Sequence, residues 1–229
     1  MSTSVIVGGS NGLGRFIAQR HADRGDTVVI TSRDEARAKE VAGEIGGETT
    51  GIAIDLARPE TIAPSLASVT RVDHLVITAT QQLPNSLADF NVAHAIEAVT
   101  LKLVGYTETV RALRDRFAPE ASVVLFGGVA KDRPYPGSTM VTTANGGIST
   151  LLNTLAVETA PHRVNAIHPG VVGDSPKWAA TADTHPHIPQ TPIGRLVSMD
   201  EVAHAVEFLL KNNGVNGINL VVDGGLTAK

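Results

Sequence analysis

The run Val5 to Val7 leads straight into Gly8-Gly9-Ser10-Asn11-Gly12-Leu13-Gly14, and helical spacing begins at once afterwards. The glycines at those positions serve different physical ends. Gly8 permits a tight turn, Gly12 lets the backbone approach a pyrophosphate, and Gly14 lets the helix pack closely; free N–H groups and the helix dipole then hold the anion. A plain turn between strand and helix is the bland alternative. The loop's place after the first strand of an alternating chain favours the dinucleotide reading, with Ser10, Asn11 and Leu13 inside the same loop.

That alternation runs the length of the chain. Short β-branched runs at Val5–Val7, Thr27–Thr31, Gly51–Ile54, His74–Thr78, Val123–Phe126, Val164–Ile167 and Ile218–Val222 predict seven strands. They are apolar throughout, as when both faces of a sheet are covered, so a doubly wound parallel α/β sheet is expected. Helices are expected over Leu13–Arg24, Asp34–Ile45, Pro59–Ser68, about His94–Phe117, Thr139–Ala160 and Met199–Lys211, with Asp34 and Ser198 as N-caps. With 229 residues, 42% of them hydrophobic, the chain supports one core and one domain, residues 1–229. The long aperiodic stretch 170–195, carrying Pro176, Pro186, Pro189 and Pro192, reads as a lid.

Charge and composition remove several classes of function. A net charge of −4 offers no basic field for a nucleic-acid backbone or an anionic membrane. The absence of cysteine excludes thiol chemistry and fits a reducing cytosol; no apolar run approaches the ~18 residues of a membrane span, so a cytoplasmic protein is expected. Asp183, His185 and His187 are read as lid residues rather than metal ligands.

The end of the second strand selects between dinucleotides. A NAD site places an acid there to grip the ribose 2′-hydroxyl, whereas this chain has Thr31-Ser32-Arg33. An arginine can meet a 2′-phosphate and Ser32 brings no repulsion, so NADP(H) is favoured over NAD(H). The alternatives are that Arg33 is a solvated loop charge and that Asp34 takes the ribose.

Gly8-x-x-x-Gly12-x-Gly14, Asp55-Leu56 after the third strand, Arg163-Val164-Asn165-Ala166-Ile167-His168-Pro169-Gly170 and the closing Val222-Asp223-Gly224-Gly225 together resemble the short-chain dehydrogenase/reductase family over nearly the whole chain. The resemblance implies strand order 3-2-1-4-5-6-7, Asp55 and Leu56 beside the adenine, and a Pro169-Gly170 turn beside the nicotinamide. It extends the cofactor site to Thr78, Ala79, Asn145, Val172 and Ser175. It also implies self-association as a dimer or tetramer, with the helices around Lys102 and Leu151 at subunit interfaces.

The departures fall on the chemistry. Counting back from Leu155-Ala156-Val157-Glu158 puts Val141 on the family's tyrosine, Asn145 on its lysine and Gly128 on the serine thirteen residues upstream. The pattern is similar to an atypical subgroup that keeps the glycine loop without that trio. Val141 cannot transfer a proton, and Asn145 can hydrogen-bond a ribose without supplying charge. Lys102 stands where the family has a helix-four asparagine and is the leading proton donor; snorkelling to solvent, or a purely electrostatic role at the ribose, are its alternatives. Tyr135, between two prolines, is the second candidate. Tyr106 reads as a packing residue. His168 contacts the cofactor or simply ends its strand, and the Gly127 and Gly128 N–H groups serve a substrate oxyanion only if their orientation allows it. Two functions remain: a reductase of a small carbonyl or imine substrate, or a dinucleotide-binding sensor or assembly subunit without redox turnover.

Overall fold

The computed structural model describes residues 1–81 and 85–228. Among them, strands β1 (Thr3–Val7), β2 (Thr27–Ser32), β3 (Thr49–Ala53), β4 (Val72–Ile77), β5 (Phe117–Phe126), β6 (Arg163–Pro169) and β7 (Asn219–Val222) form one parallel sheet in the order β3-β2-β1-β4-β5-β6-β7. The expected order is the observed one.

Alternate side chains along each strand enter two separate cores, which is why the runs read as continuously apolar. Val5 and Val7 of β1, Leu75 and Ile77 of β4, and Val123 and Leu125 of β5 point to one face. There they meet Ile62 of α3 (Ile62–Ser65), Tyr106, Val110 and Leu113 of α5 (Tyr106–Leu113) and Ile148, Leu152 and Leu155 of α6 (Thr139–Glu158). Ile6, Val76 and Val124 point the other way. They pack on Ile17 of α1 (Gly12–Asp23), Val41 and Ile45 of α2 (Glu35–Ile45) and Val206 and Leu209 of α7 (Met199–Lys211). Asp34 caps α2 through the Arg37 N–H at 2.7 Å, and Ser198 caps α7 in a reciprocal box with Glu201.

Three expected elements change form. Pro59–Ser68 is a 3₁₀ turn, Pro59–Thr61, followed by a single α-turn, because Pro64 lacks the N–H a longer helix needs. The segment around His94–Phe117 divides into α4 (Val92–Val99), a π-helical turn (Thr100–Gly105), α5, and a 3₁₀ turn at Arg114–Arg116. Phe117 opens β5 instead of closing a helix, since it pairs with Val72 across the sheet. The 170–195 stretch carries 3₁₀ turns at Ala179–Thr184 and Ile188–Gln190. No helix of the described residues is long and apolar enough to cross a membrane.

Parallel strands deliver all their carboxyl ends to one edge, and the order reverses direction between β1 and β4. The glycine loop, Ser32-Arg33, Asp55-Leu56, Thr78-Ala79, Gly127-Gly128 and Pro169-Gly170 all follow strand ends on that edge.

Candidate active site

The glycine loop is built as its spacing demands. Gly8 has φ +85 and its N–H donates to the Thr31 hydroxyl at 3.1 Å. Asn11 caps α1 by accepting the Gly12 N–H at 2.8 Å, just after Ser10, while Leu13 packs on the core below. Gly12 has φ +50 and opens onto free space. A Cβ on Gly14 would lie 2.2 Å from the Gly8 carbonyl oxygen, so only glycine lets α1 start this close to the loop. The Thr78 hydroxyl ties β4 to the loop by donating to the Val7 carbonyl at 3.1 Å, beside partly buried Ala79. The first turn of α1 holds no acidic residue. A dinucleotide pyrophosphate fits this cradle: open backbone at Gly12, a helix N-terminus and no opposing carboxylate.

Around the cradle, Asp34 is spent as a helix cap, whereas exposed Arg33 reaches Gln81 Oε1 at 3.2 Å and Ser32 accepts the Asp34 N–H at 3.4 Å. Asp55 accepts the Ala57 N–H at 3.0 Å and Leu56 is buried. Gly105 abuts that turn so closely that a Cβ on it would lie 2.4 Å from the Leu56 carbonyl oxygen. Gly170 donates to the Val222 carbonyl at 2.9 Å, holding the Pro169-Gly170 turn against β7. Val172 is buried and bridges to Val197, and the Ser175 hydroxyl donates back to the Val172 carbonyl at 2.7 Å.

At the end of β5 Gly127 makes room for His168. A Cβ on Gly127 would lie 2.2 Å from His168 Nδ1. The Gly128 N–H donates to that nitrogen at 3.1 Å, which leaves the proton on Nε2, where it is given to Asn219 Oδ1 at 2.8 Å. His168 is fully buried, and burial holds it neutral by lowering its pKa, helped by the Lys131 and Lys102 charges against the Asn219 hydrogen bond. The Gly127 N–H is taken by the Ile167 carbonyl at 2.8 Å. Both backbone donors are therefore committed internally, and the orientation an oxyanion would need is absent.

Asn145, on α6, is 8% exposed and its side chain makes no hydrogen bond among the described residues. Its amide nitrogen lies 2.8 Å from where a Cβ on Gly128 would stand. It fills the space that a side chain at 128 would take. Val141, one turn earlier on α6, is partly buried and offers no polar group.

Lys102 lies in the π-helical turn and is 5% exposed. It does not snorkel. Its Nζ stands 5.4 Å from the Tyr106 ring centroid and has neither an ion pair nor a hydrogen bond among the described residues. Burial without a partner pulls the ammonium down to about 7. A buried, unpaired lysine costs several kcal/mol, and such groups cluster at functional sites. Tyr106 is fully buried and donates its hydroxyl to the Ala79 carbonyl at 2.8 Å; burial raises its pKa, so it packs rather than titrates. Tyr135 is 52% exposed, in the loop before α6. In the 170–195 stretch, His185 packs edge-on to both Trp178 and His187.

This fold and cradle have close counterparts. Residues 7–227 match the family model described as enoyl-(acyl carrier protein) reductase. The chain belongs to the short-chain dehydrogenase/reductase family. Among its relatives in that family are human 3-oxoacyl-[acyl-carrier-protein] reductase, 30% identical over 230 residues with 96% of each chain covered, and L-xylulose reductase of Bos taurus, 30% identical over 236 residues with 98% and 96% covered. A 3-ketoacyl-(acyl-carrier-protein) reductase from Brucella melitensis complexed with NADH superimposes with a TM-score of 0.86 at 27% identity, covering 99% of this chain and 98% of that one. These short-chain reductases are oxidoreductases, and the likeness spans the whole domain.

Sequence reasoning missed two features of the site. The π-helical turn leaves no mark in the apolar spacing; Gly105, wedged against Leu56, was its nearest signal. The Gly127-Gly128 pair and His168 were each visible, but their contact across forty positions was not.

Proposed function

We propose that this chain is an NADPH-dependent reductase of a small carbonyl- or imine-bearing substrate, with Lys102 as proton donor in place of a tyrosine. The observation that carries the reading is the buried, unpaired Lys102 ammonium with a pKa of about 7, beside strand ends that carry the dinucleotide cradle. A general acid works best with a pKa near the working pH. Gly8 to Gly14 would hold the pyrophosphate, Arg33 and Ser32 the 2′-phosphate, Asp55 and Leu56 the adenine, and Thr78, Ala79, Pro169, Gly170, Val172 and Ser175 the nicotinamide half. NADPH, when bound, supplies the hydride. Lys102 then gives its Nζ proton to the substrate oxygen or nitrogen, and the covered crevice excludes water. Val141, Asn145 and Gly128 replace the family's tyrosine, lysine and serine, and exposed Tyr135 is the second candidate after Lys102.

Stopped-flow oxidation of NADPH against a panel of carbonyls and imines tests this. Wild type should turn over at least one compound, and Lys102→Ala should lose roughly 10²-fold or more of that rate. No turnover across the panel, or full activity in the variant, overturns the reading.

A second reading rests on the committed N–H groups of Gly127 and Gly128. A chain without those donors suits a dinucleotide sensor that performs no redox chemistry. Such a sensor must bind NADP+ and NADPH with different affinities, which calorimetry measures directly. In either reading the chain self-associates through the groove of about 610 Å³ lined by Leu103, Val104, Gly147 and Leu151, where Val104 is 49% exposed. Light scattering of Val104→Asp should show smaller particles than wild type.

A further inference from the structure

Two buried polar side chains in the crevice lack partners. Lys102 is 5% exposed and Asn145 is 8% exposed, and neither forms a hydrogen bond or ion pair among the described residues. Among the described residues, the fully enclosed side-chain nitrogens and oxygens without partners are histidine nitrogens, at His21, His74, His162 and His187. The free atoms of Lys102 and Asn145 therefore keep a face to open space. Both groups border the same place. Asn145 Nδ2 leans on Gly128, and Lys102 Nζ stands over the Tyr106 ring, whose hydroxyl lies 3.5 Å from the carbonyl of Phe126, two residues before that glycine.

The balance of donors and charge specifies a ligand. An ammonium offers three N–H donors and a carboxamide two, against a single acceptor, the Asn145 carbonyl oxygen. Neighbouring groups do not redress this: both glycine N–H groups are committed, His168 is neutral, and Asp132 is paired with Lys131 at 2.5 Å. A cation buried without a counter-ion is stabilised by an anionic ligand rich in acceptors.

We propose that Lys102 and Asn145 form a carboxylate-binding subsite, and that the substrate is a short oxo acid. The carboxylate and the neighbouring carbonyl oxygen share the five N–H donors, so the group that anchors the acid also stands within reach of the oxygen to be protonated. This deepens the reductase reading and rests on it for the reaction, although the binding itself needs no turnover.

The test uses the whole protein saturated with NADP+, titrated calorimetrically with acetoacetate and with acetoacetamide, a neutral compound of nearly the same shape. Acetoacetate should bind at least tenfold more tightly than the amide. Lys102→Met should abolish that preference, and Lys102→Gln provides a second variant if the first does not fold. Asn145→Ala should weaken acetoacetate about five- to tenfold while changing NADP+ affinity less than twofold. Equal affinity for acid and amide, no binding of acetoacetate by wild type, or an unchanged preference in both Lys102 variants overturns the subsite. Weakened NADP+ with unchanged acetoacetate in Asn145→Ala overturns the role of Asn145 and returns that residue to the cofactor. Selective acid binding without NADPH oxidation would leave the subsite standing and remove the reductase reading alone.

Discussion

The Gly128 N–H donates to Nδ1 of His168 at 3.1 Å, joining the end of β5 to the end of β6 through a buried, neutral imidazole. Its other nitrogen is anchored by Asn219. Gly127 is thus a space requirement of this histidine. A methyl group on Gly127 would stand 2.2 Å from Nδ1 and 2.3 Å from Cε1, inside a packed core with no slack. On Gly128 it would instead meet the Asn145 amide at 2.8 Å, the end of a movable side chain. Gly127→Ala should therefore cost about 2–4 kcal/mol, and Gly128→Ala only about 1 kcal/mol. Urea midpoints with unchanged slopes would measure both, and equal losses would contradict the contrast.

Lys102 should oppose stability and support activity. Its folded pKa of about 7 lies below the unfolded value of 10.5, so between those values the unfolded chain binds more protons. This group's contribution to stability therefore rises as pH climbs from about 7 to 10.5. The acid role proposed for it runs the other way, since the donor loses its proton as pH rises through about 7. Lys102→Met is expected to raise unfolding stability at pH 7 by a few kcal/mol while removing reduction. Paired denaturation curves and pH–rate profiles check the two trends.

Arg33 is exposed and among the described residues its side chain engages only Gln81, so it can turn to a ligand. Arg33→Ala should raise the Kd for NADPH about 10- to 100-fold, the worth of one or two charge-assisted hydrogen bonds, and leave NADH within a factor of two. Calorimetric titration with each dinucleotide decides it; equal losses for both would mean that Arg33 does not read the 2′-phosphate.

At the opposite end of the sheet, His21 Nδ1 lies 2.8 Å from both Ser4 Oγ and Asp26 Oδ2, with His74 edge-on at 5.8 Å. Burial pulls His21 down to about 4, against the Asp26 hydrogen bond. The unfolded chain binds its proton first, so stability present above about pH 6.5 is lost as pH falls toward 4. The amount is roughly 2–4 kcal/mol. Thermal melts from pH 7 to 4 should show a falling Tm that His21→Gln flattens. Glu201, lowered from 4.5 to about 2 chiefly by Arg195, adds its own loss as pH falls below about 4.5, at the foot of this window.

What the sequence made legible followed from how local the cause was. Val164 to Ile167 announced a strand because both of its faces are buried, and Gly8 and Gly12 announced a loop because positive φ is a demand of the backbone itself. Asp34 could be read as a cap since its partner lies three residues away. Phe117 was read as the end of a helix because its strand partner, Val72, is 45 positions distant. The burial of Lys102 was open to more than one reading: a lysine on a helix reaches solvent or the interior with the same spacing, and packing against Tyr106 decides it. The partnership of Gly128 with His168 leaves no periodic trace at all.

A π-helical turn holds one residue more than an α-turn, and each residue advances a helix by about 100°. The turn Thr100–Gly105 therefore acts as a phase shifter between α4 and α5. It lets α4 keep Val92 and Ile96 outward while α5 keeps Tyr106, Val110 and Leu113 inward. Shortening the chain there by a single residue would leave every side chain chemically intact and swing one helix about a quarter turn or more against the other. The inward ammonium is in that sense a matter of chain length: its position is set by counting residues, and the lysine supplies only the charge.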